Sequence, residues 1–292
     1  MIRAACRSFP SDTGLGADAL QPRAISRVSD QAIRAMCHLL MAAELHGSCP
    51  ALIRTILVVL IPKGDGGRRP IGLLPTLIRI WMRARGPLVR SWRSALNKVY
   101  LDGGDGKGAQ RAAWMQAAKA EAARQAKRCY GIVFVDLVKA FEKMPHHLLA
   151  EAAARCGYPL WVLRLSLDIY RMERRVVIDG VCSRAILAAQ GITAGSGFAT
   201  IELCCLLLDV MDDLKQQLPK AACSLYVDDG TIDAEGTRQD VAGMLKCATH
   251  ILVEGMKKVG LQLSSTKSVL LATCKAVARK SLKPPGPRRA DC

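Results

Sequence analysis

Hydrophobic residues follow two patterns along the chain, one with a period of three to four residues and one of short continuous runs. The periodic stretches predict amphipathic helices. Ser29 and Asp30 precede the first long stretch, and Gly47 and Pro50 lie beyond its end, as expected for a helix start and stop. The predicted helices cover residues 31–45, 76–99, 110–128, 147–155, 160–172, 200–218 and 238–259. Residues 1–28 are rich in turn-forming residues, and we expect them to lack regular structure.

The continuous apolar runs are short and contain many β-branched residues, which is typical of strands. They lie at 56–61, 71–74, 131–135, 176–179, 185–187 and 268–272, with a further hairpin around residue 228. The runs 176–179 and 185–187 are expected to pair around Gly180. An antiparallel sheet with helices on one face is an α+β architecture, which is the fold class that we predict.

Two adjacent carboxylates, Asp228 and Asp229, end an apolar run and precede Gly230. Ionised neighbours repel each other, and burial makes their ionisation costlier. A bound cation would neutralise them, and Mg²⁺ is commonly held by one or two carboxylates together with substrate phosphates. The alternative is structural, because Asp-Asp-Gly is also a favourable turn sequence.

A third carboxylate, Asp136, ends the apolar run 131–135. If its strand neighbours the hairpin, Asp136 would join Asp228 and Asp229 in a cage for two metal ions roughly 3.5–4 Å apart. Such ions stabilise the attacking and leaving oxygens of an in-line phosphoryl transfer. The structural alternative for Asp136 is a helix N-cap for the segment that follows.

Five blocks, taken in order, resemble the motifs of reverse transcriptases, particularly those of non-LTR retrotransposons and group II introns. IPKGDGGRRPI at 61–71 resembles the fingers motif, FVDLVKAF at 134–141 motif A, and GITAGSGFAT at 191–200 motif B. YVDD at 226–229 resembles motif C, and GLQLSSTK at 260–267 motif D. Each block alone is weakly diagnostic, but the ordered set covers roughly residues 50–272 and is specific.

The resemblance implies a polymerase palm-and-fingers fold, with an antiparallel palm sheet backed by helices and the thumb largely missing. We assign residues 1–50 to an N-terminal leader with one helix, 51–130 to the fingers, 131–275 to the palm and 276–292 to a basic disordered tail. The reverse transcriptase domain would cover about 50–275. A thumbless chain is expected to polymerise weakly by itself.

The resemblance also implies the chemistry of a two-metal nucleotidyl transfer. The ions would be Mg²⁺, with Mn²⁺ as a second candidate, held by Asp136, Asp228, Asp229 and the main-chain carbonyl of Leu137. The primer 3′-hydroxyl would attack the α-phosphate of the incoming nucleotide on an RNA template.

Three cationic residues are implied to contact the phosphates. Lys63 and Arg69 flank a glycine-rich turn, where Lys63 would act as a point charge and Arg69 as a bidentate phosphate ligand. Lys267 would be a general acid toward the leaving pyrophosphate. The structural alternatives are a solvated basic turn for the first two and an ordinary surface lysine for the third.

Three further residues are implied to contact the nucleotide or its base pair. Phe141 lies five residues after Asp136, at the place of an aromatic gate that excludes a 2′-hydroxyl. Gly195 and Ser196 would let the backbone approach the base pair, because glycine has no side chain. The structural alternative for Phe141 is a core residue.

The sequence departs from the family pattern in motif B. Ala194 stands where the family has Gln, and Thr200 stands where it has Pro. Glu142 replaces the Asp that usually follows the motif A aromatic. These departures concern nucleotide binding, whereas the three predicted metal carboxylates are all present.

Composition indicates the binding partner and the cellular compartment of the protein. The chain of 292 residues has 42 Lys and Arg against 25 Asp and Glu, a net charge of +17, which favours a nucleic-acid partner. We expect an RNA–DNA hybrid of template and primer, with dNTPs as substrates. The 12 cysteines lack paired metal-ligand spacing, and no secretory segment or 18-residue apolar run occurs. We therefore expect an intracellular protein, cytoplasmic or nuclear, that is neither secreted nor in a membrane.

Two other functions stay open on the sequence alone. An RNA-dependent RNA polymerase shares the palm chemistry, although the bulk of Phe141 and the Tyr-Val-Asp-Asp motif count against it. A maturase-like protein or inactive remnant would bind RNA without chemistry. In that case Asp136→Ala would leave RNA affinity unreduced.

Overall fold

The computed structural model describes residues 1–64, 66–102, 108–274 and 277. The predicted tail at 276–292 lies outside the described residues except for residue 277. The helices are α1 (Ile2–Arg7), α2 (Pro22–Ile25), α3 (Asp30–His46), α4 (Thr76–Ala95), α5 (Ala109–Gln125), α6 (Ala140–Lys143), α7 (His146–Arg155), α8 (Leu160–Tyr170), α9 (Ala199–Gln217) and α10 (Arg238–Lys258). The strands are β1 (Thr55–Pro62), β2 (Arg68–Leu73), β3 (Cys129–Val135), β4 (Glu173–Ile178), β5 (Val181–Cys182), β6 (Ala222–Tyr226), β7 (Asp229–Gly236) and β8 (Val269–Ala272).

These elements form two units, each built from two separate stretches of the chain. The first unit comprises residues 1–96 and 139–206, and the second comprises 97–138 and the residues from 207 onward. The predicted division into fingers and palm at residue 130 stays a prediction.

A sheet of order β2-β1-β4-β5 organises the first unit. β1 and β2 form the predicted antiparallel hairpin, whereas β1 and β4 pair in parallel. The predicted pairing around Gly180 is only partly correct. β4 pairs there with the two residues of β5, and Ile186 contributes only an isolated bridge to Arg174.

The expectation that residues 1–28 lack regular structure is wrong. They contain α1 and α2, and Ile2, Cys6 and Phe9 are buried. α1 packs against α4, and the guanidinium groups of Arg79 and Arg83 lie 5.2 and 4.8 Å from the Phe9 ring centroid. A six-residue helix is too short for periodicity to reveal it, and its stability comes from packing rather than from local preference.

The caps of α3 follow the sequence signals. The Ser29 hydroxyl accepts a hydrogen bond from the backbone N–H of Ala32 at 3.2 Å, which satisfies one orphan donor of the first turn. Gly47 ends the helix with a φ of 69° in the left-handed region that glycine adopts readily.

The second unit is built on an antiparallel sheet of order β6-β7-β3-β8. Successive side chains of a strand point to opposite faces. On one face, Gly131 lies so close to α10 that an added Cβ would be 2.7 Å from the Leu245 side chain. On the other face, Tyr130 and Ile132 pack with Ala123 of α5. Helices therefore cover both faces of this sheet, and the expectation of helices on one face only is wrong.

Candidate active site

Strand register brings the two candidate metal-binding motifs of the second unit to the same end of the sheet. Val135 of β3 pairs with Gly230 of β7, so Asp136 follows β3 beside the first residue of β7, Asp229. The prediction that the strand of Asp136 neighbours the hairpin is confirmed. Asp136 is not an N-cap, because the helix after it begins at Ala140 with Lys139 at the N-cap.

The hairpin that carries the carboxylate pair closes with a very short turn. Tyr226 pairs directly with Asp229, which leaves Val227 and Asp228 as the turn residues. Val227 has a φ of +62°, which is unusual for a β-branched residue. Such a conformation costs on the order of 1–3 kcal/mol and persists only where the surroundings enforce it. The ladder between β6 and β7 supplies that constraint, so Asp228 occupies the turn and Asp229 opens the next strand.

An open cavity of about 330 Å³ lies at this end of the sheet. Asp136, Asp229 and Lys267 all line it. The Lys267 ammonium nitrogen lies 3.8 Å from Oδ2 of Asp136, and the two side chains are 70% and 33% exposed. The other lining residues are Ala109, Ala112, Ala113, Gln116, Phe134, Val135, Ser224, Tyr226, Gly230 and Thr231.

Main-chain bonds hold the Lys267 loop against the end of β3. Ser264 donates its N–H to the Asp136 carbonyl at 2.8 Å, and Val138 donates to the Gln262 carbonyl at 2.8 Å. The Asp136 N–H donates to the Ser268 hydroxyl at 3.2 Å, and the Ser264 hydroxyl accepts from the Lys267 N–H at 3.2 Å. Asp136 is thereby fixed by its backbone, which leaves its carboxylate facing the cavity.

The donor atoms at this end of the sheet suit a hard divalent cation. Mg²⁺ is typically bound through one or two carboxylates, and water and substrate phosphates complete its shell. Asp136 and Asp229 provide such a pair on one cavity. Within the described residues, no group of three or more His, Cys, Asp or Glu side chains is close enough together to hold a metal. The predicted three-carboxylate cage and the role of the Leu137 carbonyl therefore stay predictions.

Helix α5 forms a wall of the cavity that the sequence did not assign to the site. Gln116 donates from Nε2 to the Thr231 hydroxyl at 3.1 Å, and Lys119 lies 3.0 Å from the Asp233 carboxylate. Burial raises the pKa of Asp233, and the Lys119 ammonium partly offsets this effect. Ala109, Ala112, Ala113, Gln116, Ala120 and Ala123 recur at helical spacing, and this stripe is the sequence signal that could have identified the packed face.

The cationic candidates of the first unit lie at the predicted hairpin. Lys63 follows β1 and donates its N–H to the Gly67 carbonyl at 2.8 Å, while Arg69 in β2 pairs with Ile61. Both side chains are exposed. Gly66 has a positive φ of 79°, a conformation that glycine adopts readily. Phosphate binding by the two cations stays a prediction.

The other candidates of the first unit belong to α6 and to residues 193–198, here called the motif B loop. Phe141 is half-buried in α6, and its carbonyl accepts the Ile192 N–H at 2.6 Å. Gly195 has a φ of +118°, and an added Cβ would collide with the Gly72 carbonyl oxygen of β2. A structural reason therefore exists for glycine at 195. Its contact with a nucleotide, like those of Phe141 and Ser196, stays a prediction.

Comparison with known proteins identifies the class. The family described as reverse transcriptase (RNA-dependent DNA polymerase) matches residues 61–283. This match covers most of the chain, which therefore belongs to the reverse transcriptase family. Members of this family generally act with divalent metal ions on a nucleic-acid template and nucleotides.

The relatives are of the non-LTR type that the motifs indicated. The Pol polyprotein from type-1 retrotransposable element R2 of Nasonia vitripennis is 25% identical over an alignment that covers 93% of this chain. The corresponding protein of Bradysia coprophila is 25% identical over an alignment that covers 94% of this chain. The chain spans only 27% and 32% of the lengths of these two relatives.

A solved structure confirms the fold class. Apo telomerase from Candida tropicalis, truncated from its C-terminal domain, matches with a TM-score of 0.54 at 12% identity. The match covers 89% of this chain and 58% of the telomerase chain. The predicted α+β palm-and-fingers fold is thus confirmed. In the described part of the chain, no helix is both long and apolar enough to cross a membrane.

Proposed function

We propose that this chain is the RNA-directed DNA polymerase domain of a retroelement protein, which extends a DNA primer on an RNA template. The supporting observation is the cavity that Asp136 and Asp229 line together, with the Lys267 ammonium 3.8 Å from Asp136. Two carboxylates and a lysine on one open cavity suit a substrate that brings both phosphates and a leaving group.

In this proposal Asp136, Asp228 and Asp229 hold two Mg²⁺ ions, for which Mn²⁺ can substitute, and the Leu137 carbonyl adds a ligand. When bound, the ions activate the primer 3′-hydroxyl and neutralise charge that develops on the phosphate oxygens. The strand register keeps Asp136 and Asp229 adjacent before any substrate arrives, which lowers the reorganisation needed for reaction.

The remaining candidates act on the nucleotide. Lys63 and Arg69 bind the triphosphate, and Lys267 holds a proton at Nζ for the pyrophosphate that leaves. Phe141 excludes the 2′-hydroxyl of a ribonucleotide by its bulk, and Gly195 and Ser196 contact the base pair.

Primer extension on an RNA template with Mg²⁺ and dNTPs tests the proposal. Asp136→Asn removes a charge while keeping the side-chain size, and the rate should fall at least about a hundredfold. Asp213→Asn on α9 is the matched control, because Asp213 is an exposed aspartate of the same unit that lies away from this cavity. Equal rates for the wild type and Asp136→Asn would overturn the proposed site. A folded wild type that binds RNA without extending a primer would favour the RNA-binding alternative.

The choice of sugar separates a DNA polymerase from an RNA polymerase. The wild type should prefer dNTPs, and Phe141→Ala should raise rNTP incorporation relative to dNTP by at least about tenfold, because the steric block is removed. A wild type that prefers rNTPs would instead identify an RNA-dependent RNA polymerase.

A further inference from the structure

A buried carboxylate lies beside the motif B loop, and the polymerase chemistry above makes no use of it. Glu202, in the first turn of α9, is 0% exposed. Its Oε2 accepts the Tyr170 hydroxyl at 2.5 Å, and its Oε1 accepts the more distant Tyr158 hydroxyl at 3.4 Å. Burying a carboxyl group costs free energy unless hydrogen bonds satisfy it, so the two tyrosine hydroxyls are what make this position tolerable for Glu202.

The hydrogen bonds continue from Glu202 into the motif B loop. The Tyr170 hydroxyl lies 2.8 Å from the Ser196 hydroxyl. The Ser196 oxygen in turn accepts the Phe198 N–H at 3.2 Å and lies 3.8 Å from Sδ of Met82. One buried acceptor is therefore linked through a single tyrosine to a predicted nucleotide contact.

Glu202 is the acceptor at the end of this series of hydrogen bonds, and it determines in which direction Tyr170 and Ser196 donate. A tyrosine hydroxyl has one proton, and Tyr170 donates that proton in its hydrogen bond to Glu202. The Tyr170 oxygen must then accept the Ser196 proton. The Ser196 rotamer is thereby fixed, and its oxygen keeps a lone pair for the Phe198 N–H.

An ionised Glu202 requires this direction, and a neutral Glu202 is compatible with it. Burial raises the pKa of Glu202 to about 7, and the hydrogen bond from Tyr170 opposes this rise. A neutral carboxyl can carry its proton on Oε1, which leaves Oε2 as an acceptor. Burial and the nearby Glu202 raise the pKa of Tyr170 well above its ordinary value, so the phenol keeps its proton.

We infer that Glu202 is a positioning residue, which acts through Tyr170 to fix Ser196 and the motif B loop in the conformation that receives the nucleotide. This inference rests on the proposed polymerase function. It assigns part of the affinity for the incoming nucleotide to a carboxyl group that acts only through Tyr170 and Ser196.

Two pairs of variants of the full chain test the inference. Tyr170→Phe removes the link to Ser196, whereas Tyr158→Phe removes an equally buried phenol that contacts Glu202 but has no bond to Ser196 among its described contacts. Glu202→Leu removes the acceptor, whereas Glu202→Gln keeps one at a similar size. Circular dichroism and thermal unfolding identify any variant that fails to fold, and Tyr170→Phe is the mildest of the disruptive changes.

The first measurement is steady-state primer extension with varied dNTP. Tyr170→Phe and Glu202→Leu should raise KM for dNTP about fivefold, the equivalent of one net hydrogen bond, with kcat changed less than about twofold. Tyr158→Phe and Glu202→Gln should stay within about twofold of the wild type in KM. An unchanged KM in Tyr170→Phe, or an equal rise in Tyr158→Phe, would overturn the inference while leaving the polymerase proposal intact.

The second measurement does not require activity. Hydrogen exchange followed by mass spectrometry should show faster exchange in peptides covering residues 193–199 of Tyr170→Phe, and wild-type exchange there in Tyr158→Phe. If the wild type proves inactive, the polymerase proposal fails, and this comparison alone decides whether Glu202 and Tyr170 order the loop. Identical exchange in both variants would refute the ordering.

Discussion

The carboxylates of the second unit and the motif B loop of the first unit are positioned by different kinds of interaction. Asp136 and Asp229 meet because β3, β6 and β7 pair in a continuous backbone register. The motif B loop is held by side chains distant in sequence, through the Tyr170 hydroxyl at Ser196 and through Sδ of Met82 at the Gly197 N–H. Backbone ladders tolerate changes of side chain, whereas a loop held by packing depends on each contact. The first arrangement should therefore be robust to substitution and the second should be fragile.

The largest effect is expected where the motif B loop packs against β2. Gly195→Ala should lower the free energy of unfolding by about 3 kcal/mol, because the Cβ meets the Gly72 carbonyl and the φ of +118° disfavours any side chain. Chemical denaturation of the full chain measures this change.

Gly197→Ala is the matched control in the same loop. A Cβ at 197 would lie 3.4 Å from the Met82 Cβ, which is an ordinary contact, and we expect only a small change in stability. Equal stability of the Gly195 and Gly197 variants would show that packing does not hold this loop.

A smaller effect is expected beneath the carboxylate site, at the ion pair between α5 and β7. The side chains of Lys119 and Asp233 are 38% and 9% exposed. Lys119→Met leaves Asp233 without this partner and should cost about 2 kcal/mol at pH 7, less than for a fully buried pair because Lys119 is partly exposed.

The pH dependence of that variant has a definite sign. Burial raises the pKa of Asp233, so the folded state binds a proton more readily than the unfolded chain does. Stability of Lys119→Met should therefore increase as the pH falls from 7 toward 5. Lys257→Met breaks an exposed pair with Glu254 and should have no measurable effect. A pH-independent loss in Lys119→Met would show that packing rather than charge is responsible.

The smallest effect is expected at the hairpin turn itself. Val227→Gly relieves a positive φ, a gain of about 1 kcal/mol, but adds glycine entropy to the unfolded chain, a loss of about 0.5–1 kcal/mol. The free energy of unfolding should stay within about 0.5 kcal/mol of the wild type, as urea titration can establish. Val133→Gly, at a buried position of β3, should lose about 2–3 kcal/mol. A loss at Val227 as large as that at Val133 would contradict the view that register alone holds the turn.

Local signals predicted much of the fold. The caps of α3, the β1–β2 hairpin and the β6–β7 hairpin around Asp228 follow from residues that lie close together in the chain. The sequence did not predict α1, because its six residues are stabilised as a helix by packing against α4. The segment around Ile186 forms only an isolated bridge, because the strand that pairs with β4 after the turn begins earlier, at Val181.

The residues of the candidate site also fall into those that local motifs predicted and those that they did not. Asp136, Asp228, Asp229 and Lys267 were identified from motifs, and three of them line one cavity. Gln116 was not identified, because the stripe of alanines on its helix indicates a packed face without showing that this face lies at the carboxylates. Glu202 was missed because an acidic residue in an apolar helix gives no local sign of the tyrosines that surround it.

By itself, the sequence determined the family, the order of the motifs and the identity of the chemical groups, because these depend on residue type and spacing. Only the tertiary structure decided that α5 covers the sheet face bearing the carboxylates, and that Glu202 and Tyr170 hold Ser196. The physical reason is that burial and hydrogen bonding between distant residues have no signature in local periodicity. They arise when packing excludes water from particular side chains, and this happens only in the folded chain.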